Sequence, residues 1–235
     1  MTSQEILNQL KEFGDEQTKK IFIRHGAKEP FYGVKVQDLK KIQKIVKKNH
    51  ELALELYDSG NSDAMYLAAL ISEPKNMTKA QLQKWAENAY WYMLSEYSVA
   101  WTAAESNFAW ELAEEWIKSD KENIASAGWS TFSSFIAIKN DTEIDQKKIE
   151  DLLSFVEKNI HSSKNRIRYT MNGFVISVGA YIKPLLEKSK LIAKMIGKVD
   201  VEMGGTSCKV PLAIDYIEKI ESKDRVGKKR KTSFC

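Results

Sequence analysis

The segment from Trp91 to Trp129 restricts the possible folds more than any other part of the chain. It contains five of the six tryptophans, and no proline or glycine interrupts it before Gly128. A long aromatic segment without helix breakers favours packed α-helices. The whole chain has only 11 glycines and 4 prolines in 235 residues, which extends the same expectation to its full length.

Apolar residues recur at helical spacing outside this segment as well, for example at Leu39, Ile42, Ile45 and Val46. From residue 36 onward the pattern predicts antiparallel helix pairs of about 35–40 residues each, a spacing typical of HEAT-type repeats. Such pairs stack because each needs its neighbours to bury its apolar faces. We therefore predict an all-α, single-domain α-α superhelix over residues 1–224, followed by a basic tail over residues 225–235. No region alternates with period two, so almost no strand is expected.

Composition narrows the class of protein. Hydrophobic residues make up 43% of the chain, which excludes wholesale disorder. Cys208 and Cys235 are too few for a disulfide scaffold, and the N-terminus has no apolar leader. No apolar run reaches the roughly 18 residues that a membrane-spanning helix needs. We expect a protein of the reducing cytoplasm with no membrane partner.

Two basic stretches are candidates for contact with nucleic acid. Lys40, Lys44 and Lys47 lie opposite the apolar face of a predicted helix, where they form either an ordinary solvated face or a stripe that follows phosphates. The segment Arg225–Lys231 carries five basic residues in seven, including Lys228, Lys229, Arg230 and Lys231. It is either a solubilising tail or a flexible arm that lies along nucleic acid.

Polar residues interrupt the otherwise apolar helix predicted over residues 164–182. Asn165, Arg168 and Asn172 fall on one face, with Arg166 beside them. Charged and amide groups next to a core need partners or a ligand. This face is therefore either a buried network or a binding surface, and Arg166 and Arg168 are candidate DNA contacts.

Trp101 and Glu105 are four residues apart, which places an indole and a carboxylate one helical turn apart on the same face. Tryptophans at this spacing usually belong to the core. The alternative is that Trp101 lines a groove and stacks on a flat ligand beside Glu105.

Metal and nucleotide sites are not indicated by the sequence. The three histidines are scattered, and no His or Cys pair has the spacing of a metal site. The loop from Gly204 to Lys209 lacks the full phosphate-loop pattern. We expect neither a metal nor a cofactor.

Several motifs together resemble the HEAT-like repeat DNA glycosylases of the AlkD type, over nearly the whole chain. The resemblance rests on the run of helix pairs, the tryptophan-rich centre and four segments. These are Tyr32-Gly-Val-Lys-Val-Gln-Asp-Leu-Lys-Lys41, Asn165-Arg-Ile-Arg-Tyr-Thr-Met-Asn-Gly-Phe174, Cys208-Lys-Val-Pro211 and Gly227-Lys-Lys-Arg-Lys231.

The resemblance implies candidate site residues. The family's Trp-Asp-x-x-Asp motif is matched by Trp101-Thr-Ala-Ala-Glu105, which makes Trp101 and Glu105 the candidate catalytic pair. The Trp-x-Arg-Arg motif falls on Trp129-Ser-Thr-Phe132, where both arginines are absent, and a later tryptophan falls on Phe174. A second alignment places Tyr97 and Trp101 on the first motif and leaves no carboxylate there.

What the resemblance implies is a DNA-binding protein of the alkylation-repair family. Either it excises alkylated purines, with Glu105 stabilising the positive charge that develops on the sugar, or it binds damaged or branched DNA without catalysis. The alternative is a HEAT-repeat scaffold that binds a protein partner in its groove. A strong dependence of binding on salt separates the two, since only the DNA complex releases condensed counterions.

Overall fold

The computed structural model describes residues 1–234 and is all α-helical over that range, as predicted. Thirteen α-helices are present among these residues, without a strand. A π-helical turn, Met93–Val99, leads directly into the helix Ala100–Glu105. The helices are α1 Ser3–Glu12, α2 Glu16–Arg24, α3 Val36–Val46, α4 His50–Asp58, α5 Ser62–Ile71, α6 Lys79–Asn88, α7 Ala100–Glu105, α8 Ala109–Trp116, α9 Glu122–Ile138, α10 Gln146–Asn159, α11 Asn165–Tyr181, α12 Leu186–Ile196 and α13 Ala213–Glu221.

The helices form two layers. The inner layer runs from α5 through the π-helical turn and α7 to α9, α11 and α13, with each member in contact with the next. The outer layer consists of α4, α6, α8, α10 and α12. The inner helices therefore line one continuous concave face, which places residues from distant parts of the chain side by side.

Close packing joins the two layers at Gly128 on α9. A Cβ atom added there would lie 2.7 Å from the backbone nitrogen of Ile117 and 2.9 Å from the Cβ of Trp116. Only glycine fits so close an approach between α8 and α9. The glycine that ends the break-free central segment is thus a packing residue inside a helix, and it does not terminate one.

Most of the tryptophans are core residues. Trp85, Trp116 and Trp129 are fully buried, and the ring of Trp85 stacks on that of Tyr57 with centroids 4.0 Å apart. Trp101 is 5% exposed. Most of the tryptophans therefore belong to the core, as is usual for tryptophans at helical spacing.

Buried Asp63 fixes the chain that precedes α3. Its carboxylate accepts hydrogen bonds from the backbone N–H groups of Tyr32, Gly33 and Val34 at 2.6, 3.1 and 3.0 Å. Burial raises the pKa of Asp63, and the three donors oppose that rise. One carboxylate from α5 thus holds the segment that covers the inner layer at its N-terminal end.

Replacing Asp63 with alanine leaves three N–H groups without their acceptor. Because each buried donor without a partner costs about 1–3 kcal/mol, we expect Asp63→Ala to lower the free energy of unfolding by roughly 3 kcal/mol or more. Urea unfolding followed by circular dichroism measures this. A change below about 1 kcal/mol would show that water replaces the carboxylate at no cost.

The C-terminal segment differs from the flexible basic tail predicted from the sequence. Arg225–Phe234, here called the strap, packs along the ends of the inner helices, and Cys235 lies outside the described residues. Gly227 N–H donates to Ala180 O at 2.8 Å, and Arg230 N–H donates to Ala137 O at 2.7 Å. The physical reason is a supply of free carbonyl groups at helix ends, which the composition of the segment does not reveal.

None of the helices within residues 1–234 is long and apolar enough to cross a membrane.

Candidate nucleic-acid interface

The strap contacts backbone carbonyl groups of three successive inner helices, and on α9 and α11 these lie near the C-terminal ends. It bonds to Ala180 on α11 and to Ala137 on α9. Lys229 Nζ donates to Ile136 O at 2.9 Å, and Ser233 Oγ lies 3.0 Å from Trp101 O. Helix C-termini carry partial negative charge, so a basic segment is favoured there. A segment with many positive charges can therefore pack without entering the apolar core.

Lys48 likewise donates hydrogen bonds to backbone carbonyl groups at the C-terminal end of α5. Its ammonium donates to Leu70 O at 3.1 Å and to Ser72 O at 2.8 Å, and it lies 5.1 Å from the centre of the Phe234 ring. Lys47, just before it, has a φ of 61°, a conformation that is rare for residues with a side chain. The end of α3 and the end of the strap therefore meet, although they are far apart in the sequence.

A basic groove lies between the strap and α13 and encloses about 620 Å³. Tyr181 and Tyr216 contribute aromatic rings, and Tyr216 is 51% exposed. None of the described residues that line this groove is acidic. Seven basic side chains line it: Lys219, Lys223, Arg225, Lys228, Lys229, Arg230 and Lys231. Together with Lys44, Lys47 and Lys48 at the end of α3, they form what we call the basic rim.

The basic residues of the rim differ in their contacts. Lys229 pairs with Asp141 at 2.9 Å and so helps to hold the strap in place. Within residues 1–234, the carboxylate nearest to Lys228 in an ion pair is that of the fully exposed Asp224, at 3.8 Å. Lys219, Lys223 and Lys231 are exposed. These four lysines are therefore placed to neutralise phosphates.

A second groove lies on the concave face and shares Tyr181 and Arg230 with the first. It encloses about 210 Å³ between α7, α9 and α11. Its floor carries small residues at helical spacing, and its walls are aromatic. The floor residues are Ser130, Ser133, Ser134, Gly173 and Ser177, and the wall residues are Tyr97, Trp101, Tyr169 and Tyr181.

Arg166 is part of a buried ion pair at one end of this groove. Its guanidinium donates to Glu96 at 2.7 and 2.5 Å, and it lies between the rings of Tyr92 and Tyr169 at 4.5 and 4.3 Å. Burial raises the pKa of Glu96, and Arg166 opposes that rise. Burial also raises the pKa of Tyr92 to about 12. The sequence predicts Arg166 as a contact for DNA phosphates. In the structure, Glu96 neutralises its charge.

The other candidate contacts predicted from the sequence are dispersed. Phe174 is fully buried against Trp129 and Phe132, so its ring has no surface for DNA. Arg168 is half-buried, and its guanidinium lies 3.5 Å from Asn165 Oδ1. Lys40, Lys44 and Lys47 remain on α3 or at its end, where Lys40 is half-buried and the other two are exposed.

Trp101 and Glu105 lie together at the edge of the concave groove, but the strap covers them. Oε1 of Glu105 accepts from Thr232 Oγ1 at 2.5 Å and from Ser233 N–H at 2.7 Å. The ring of Phe234 lies 5.8 Å from that of Trp101. The candidate catalytic carboxylate is therefore already engaged by the chain itself.

Tyr216 in the basic groove and the rim residues Lys219 and Lys223 are not among the contacts predicted from the sequence. The three residues recur at helical spacing on the last helix and in the turn that follows it, and this spacing is the available signal for a basic aromatic face. Lys48 follows the lysine-rich helix α3, and nothing in the sequence indicates that it caps the end of another helix.

Clusters suited to metal binding are absent from residues 1–234: no group of three or more His, Cys, Asp or Glu side chains is placed to hold an ion. The Nε2 atom of His25 and the Sγ atom of Cys208 lie 4.0 Å apart.

Known proteins share both the sequence and this fold. The uncharacterized protein Lin0241 of Listeria innocua is 38% identical over 229 residues, which cover 95% of this chain and 99% of the relative. The uncharacterized protein Lmo0209 of Listeria monocytogenes is 37% identical over 231 residues, which cover 96% and 100%.

One solved structure matches with a TM-score of 0.90 and 41% sequence identity, covering 98% of each chain. It is described as a new family of proteins related to the HEAT-like repeat DNA glycosylases with affinity for branched DNA structures. This match confirms the predicted HEAT-like superhelix. Residues 6–188 also match the profile of the DNA alkylation repair enzyme family. Because that match spans most of the two-layered helical body, this chain belongs to the DNA alkylation repair enzyme family.

Proposed function

We propose that this protein binds DNA along the basic rim and prefers branched to linear duplexes. The observation that carries the proposal is the groove between the strap and α13, where seven basic side chains converge and no described lining residue is acidic. Phosphate neutralisation releases condensed counterions and supplies most of the affinity of such surfaces.

Branched DNA fits the placement of the basic residues. Lys44 and Lys47 lie at one end of the rim, and Lys219 and Lys223 at the other, with the strap between them. A junction presents arms that diverge, so separate basic surfaces can each neutralise one arm. The affinity for branched DNA described for the structure at 41% identity supports the same preference.

Base excision is less well supported than binding. Glu105 accepts hydrogen bonds from the strap, and Thr131 and Phe132 stand on α9 where the resemblance places the family's arginines. We therefore propose a non-catalytic binder. An assay of free base release from DNA with N3- or N7-alkylated purines tests this, and release that disappears in Glu105→Gln would contradict it.

Fluorescence anisotropy with a three-way junction, a Holliday junction and a linear duplex of equal length tests the binding proposal. We expect tighter binding to both junctions and a steep loss of affinity with added salt, since each neutralised phosphate contributes a slope of about −0.9 in log K against log salt. Equal affinity for all three DNAs would contradict the preference for branches. Absence of binding to any of them would favour the alternative, a scaffold for a protein partner.

A further inference from the structure

The end of the strap covers Trp101 at the edge of the concave groove, as a ligand would. Oε1 of Glu105 accepts hydrogen bonds from Thr232 Oγ1 and from Ser233 N–H. The same oxygen lies 2.9 Å from Ser233 Oγ. Ser233 is fully buried, although it is only two residues from the end of the chain. A carboxylate that directs three contacts to one short segment specifies the position of that segment.

An aromatic ring completes this contact. Phe234 packs on Trp101 with ring centroids 5.8 Å apart, while Tyr97 packs on the same indole at 5.3 Å. The Lys48 ammonium lies 5.1 Å from the centre of the Phe234 ring. Without the strap, Trp101 would present an aromatic surface beside an unpaired carboxylate at the edge of the groove.

We propose that the strap end is an internal ligand, and that Phe234 occupies the place where an unpaired nucleobase stacks on Trp101. The inference rests on the proposed function, because the base belongs to a bound DNA junction. Bases stack on aromatic side chains much as Phe234 does here. Arg230 lines both grooves, so a strand held at the rim lies next to this place.

Glu105 gives the site a chemical preference. A carboxylate accepts hydrogen bonds, and it matches the exocyclic amino groups of cytosine and adenine, which thymine lacks. Once Thr232 and Ser233 have withdrawn, an amino group can replace their donors. The site is therefore expected to favour an unpaired cytosine over an unpaired thymine.

The strap competes with the base, so releasing it should raise the affinity for unpaired bases. We compare wild type with the triple variant Thr232→Ala, Ser233→Ala and Phe234→Ala, which keeps every basic side chain of the rim. The DNAs are a fully paired three-way junction and the same junction with one unpaired cytosine or thymine at the branch point. Each affinity is divided by that for the paired junction, which cancels any general change in phosphate binding.

We expect this ratio for cytosine to rise on the order of 10-fold in the triple variant, because the state in which the strap has withdrawn from Trp101 and Glu105 is no longer a minor population. The gain for thymine should be smaller, and adding Trp101→Leu to the triple variant should abolish both gains. If the triple variant does not unfold cooperatively, the same comparison is made with Phe234→Ala alone. This single variant keeps the hydrogen bonds of Thr232 and Ser233 to Glu105, so the strap remains attached.

Three negative results are distinguishable. If both proteins bind junctions but the ratio is unchanged, the strap is a structural clip and the inference is overturned. If neither protein binds any junction, the proposed function fails instead. An equal gain for thymine and cytosine contradicts the part assigned to Glu105.

Discussion

Replacing Lys219, Lys223, Lys228 and Lys231 together with glutamine should weaken binding to a three-way junction by roughly 10³- to 10⁴-fold at 0.1 M salt. Four neutralised phosphates contribute a salt exponent of about 3.6, which at that concentration corresponds to an effect of this size. The variant keeps Lys229 and Arg230, whose contacts hold the strap. Fluorescence anisotropy titrations measure the change.

A matched control removes four exposed lysines from the outer layer, namely Lys118, Lys147, Lys158 and Lys194. It makes the same chemical change and the same change in net charge, away from the rim. We expect it to lower affinity less than about 5-fold through long-range electrostatics, which salt screens. If both variants lose affinity equally, net charge governs binding and the rim has no special role.

The second large effect concerns stability. Arg166→Ala should lower the free energy of unfolding by about 3–5 kcal/mol, because it leaves Glu96 as a buried charge without its partner. The Glu96 side chain is 2% exposed and that of Arg166 is 17% exposed, so solvent screens the pair little. The double variant Glu96→Gln, Arg166→Met contains no buried charge at this place. It should recover at least about half of the unfolding free energy that Arg166→Ala loses. No recovery would mean that the guanidinium acts through its two tyrosine neighbours.

The pH dependence of this loss has a definite sign. Burial raises the pKa of Glu96 in the folded protein, and removing Arg166 removes the group that opposes the rise. A carboxyl group with a raised folded-state pKa stabilises the fold below its unfolded pKa, and that contribution is lost as pH rises through the folded pKa. The deficit of Arg166→Ala relative to wild type should therefore be smaller at pH 5 than at pH 8. Urea unfolding of both proteins at the two pH values checks this.

Much of the fold follows from local patterns in the sequence. Thr78 and Gln81 form a capping box, as their spacing favours, and α11 begins and ends within a residue of the limits 164 and 182 predicted from the sequence. These features depend on residues a few positions apart. The π-helical turn over Met93–Val99 was not predictable in the same way, because nothing in its composition distinguishes it from an ordinary helix.

The strap shows where reasoning from sequence ends. A basic run such as Lys228–Lys231 looks solvated because its own residues offer no apolar face. Its partners are backbone carbonyls on Ala137 and Ala180, and carbonyl groups exist at every position, whatever the side chain. One signal was available: α9 and α11 end without a glycine, so their last carbonyl groups need partners from elsewhere.

Arg166 and Phe174 are predicted from the sequence as DNA contacts, but both are structural residues. One feature explains both outcomes. A charged or aromatic residue on an apolar helix satisfies either a ligand or a buried neighbour, and the sequence does not contain the neighbour. Glu96, which pairs with Arg166, is 70 residues away along the chain. Only the superhelix brings the two residues together.

The dependence of junction affinity on salt tests the account most directly. The dissociation constant of the wild-type protein for a three-way junction is measured from about 50 to 300 mM salt, alongside the variant that lacks Lys219, Lys223, Lys228 and Lys231. We predict a steep linear dependence of log K on log salt for wild type, and a slope shallower by about 3 to 4 for the variant. Parallel lines for the two proteins, or affinity that does not change with salt, would contradict DNA binding at the basic rim.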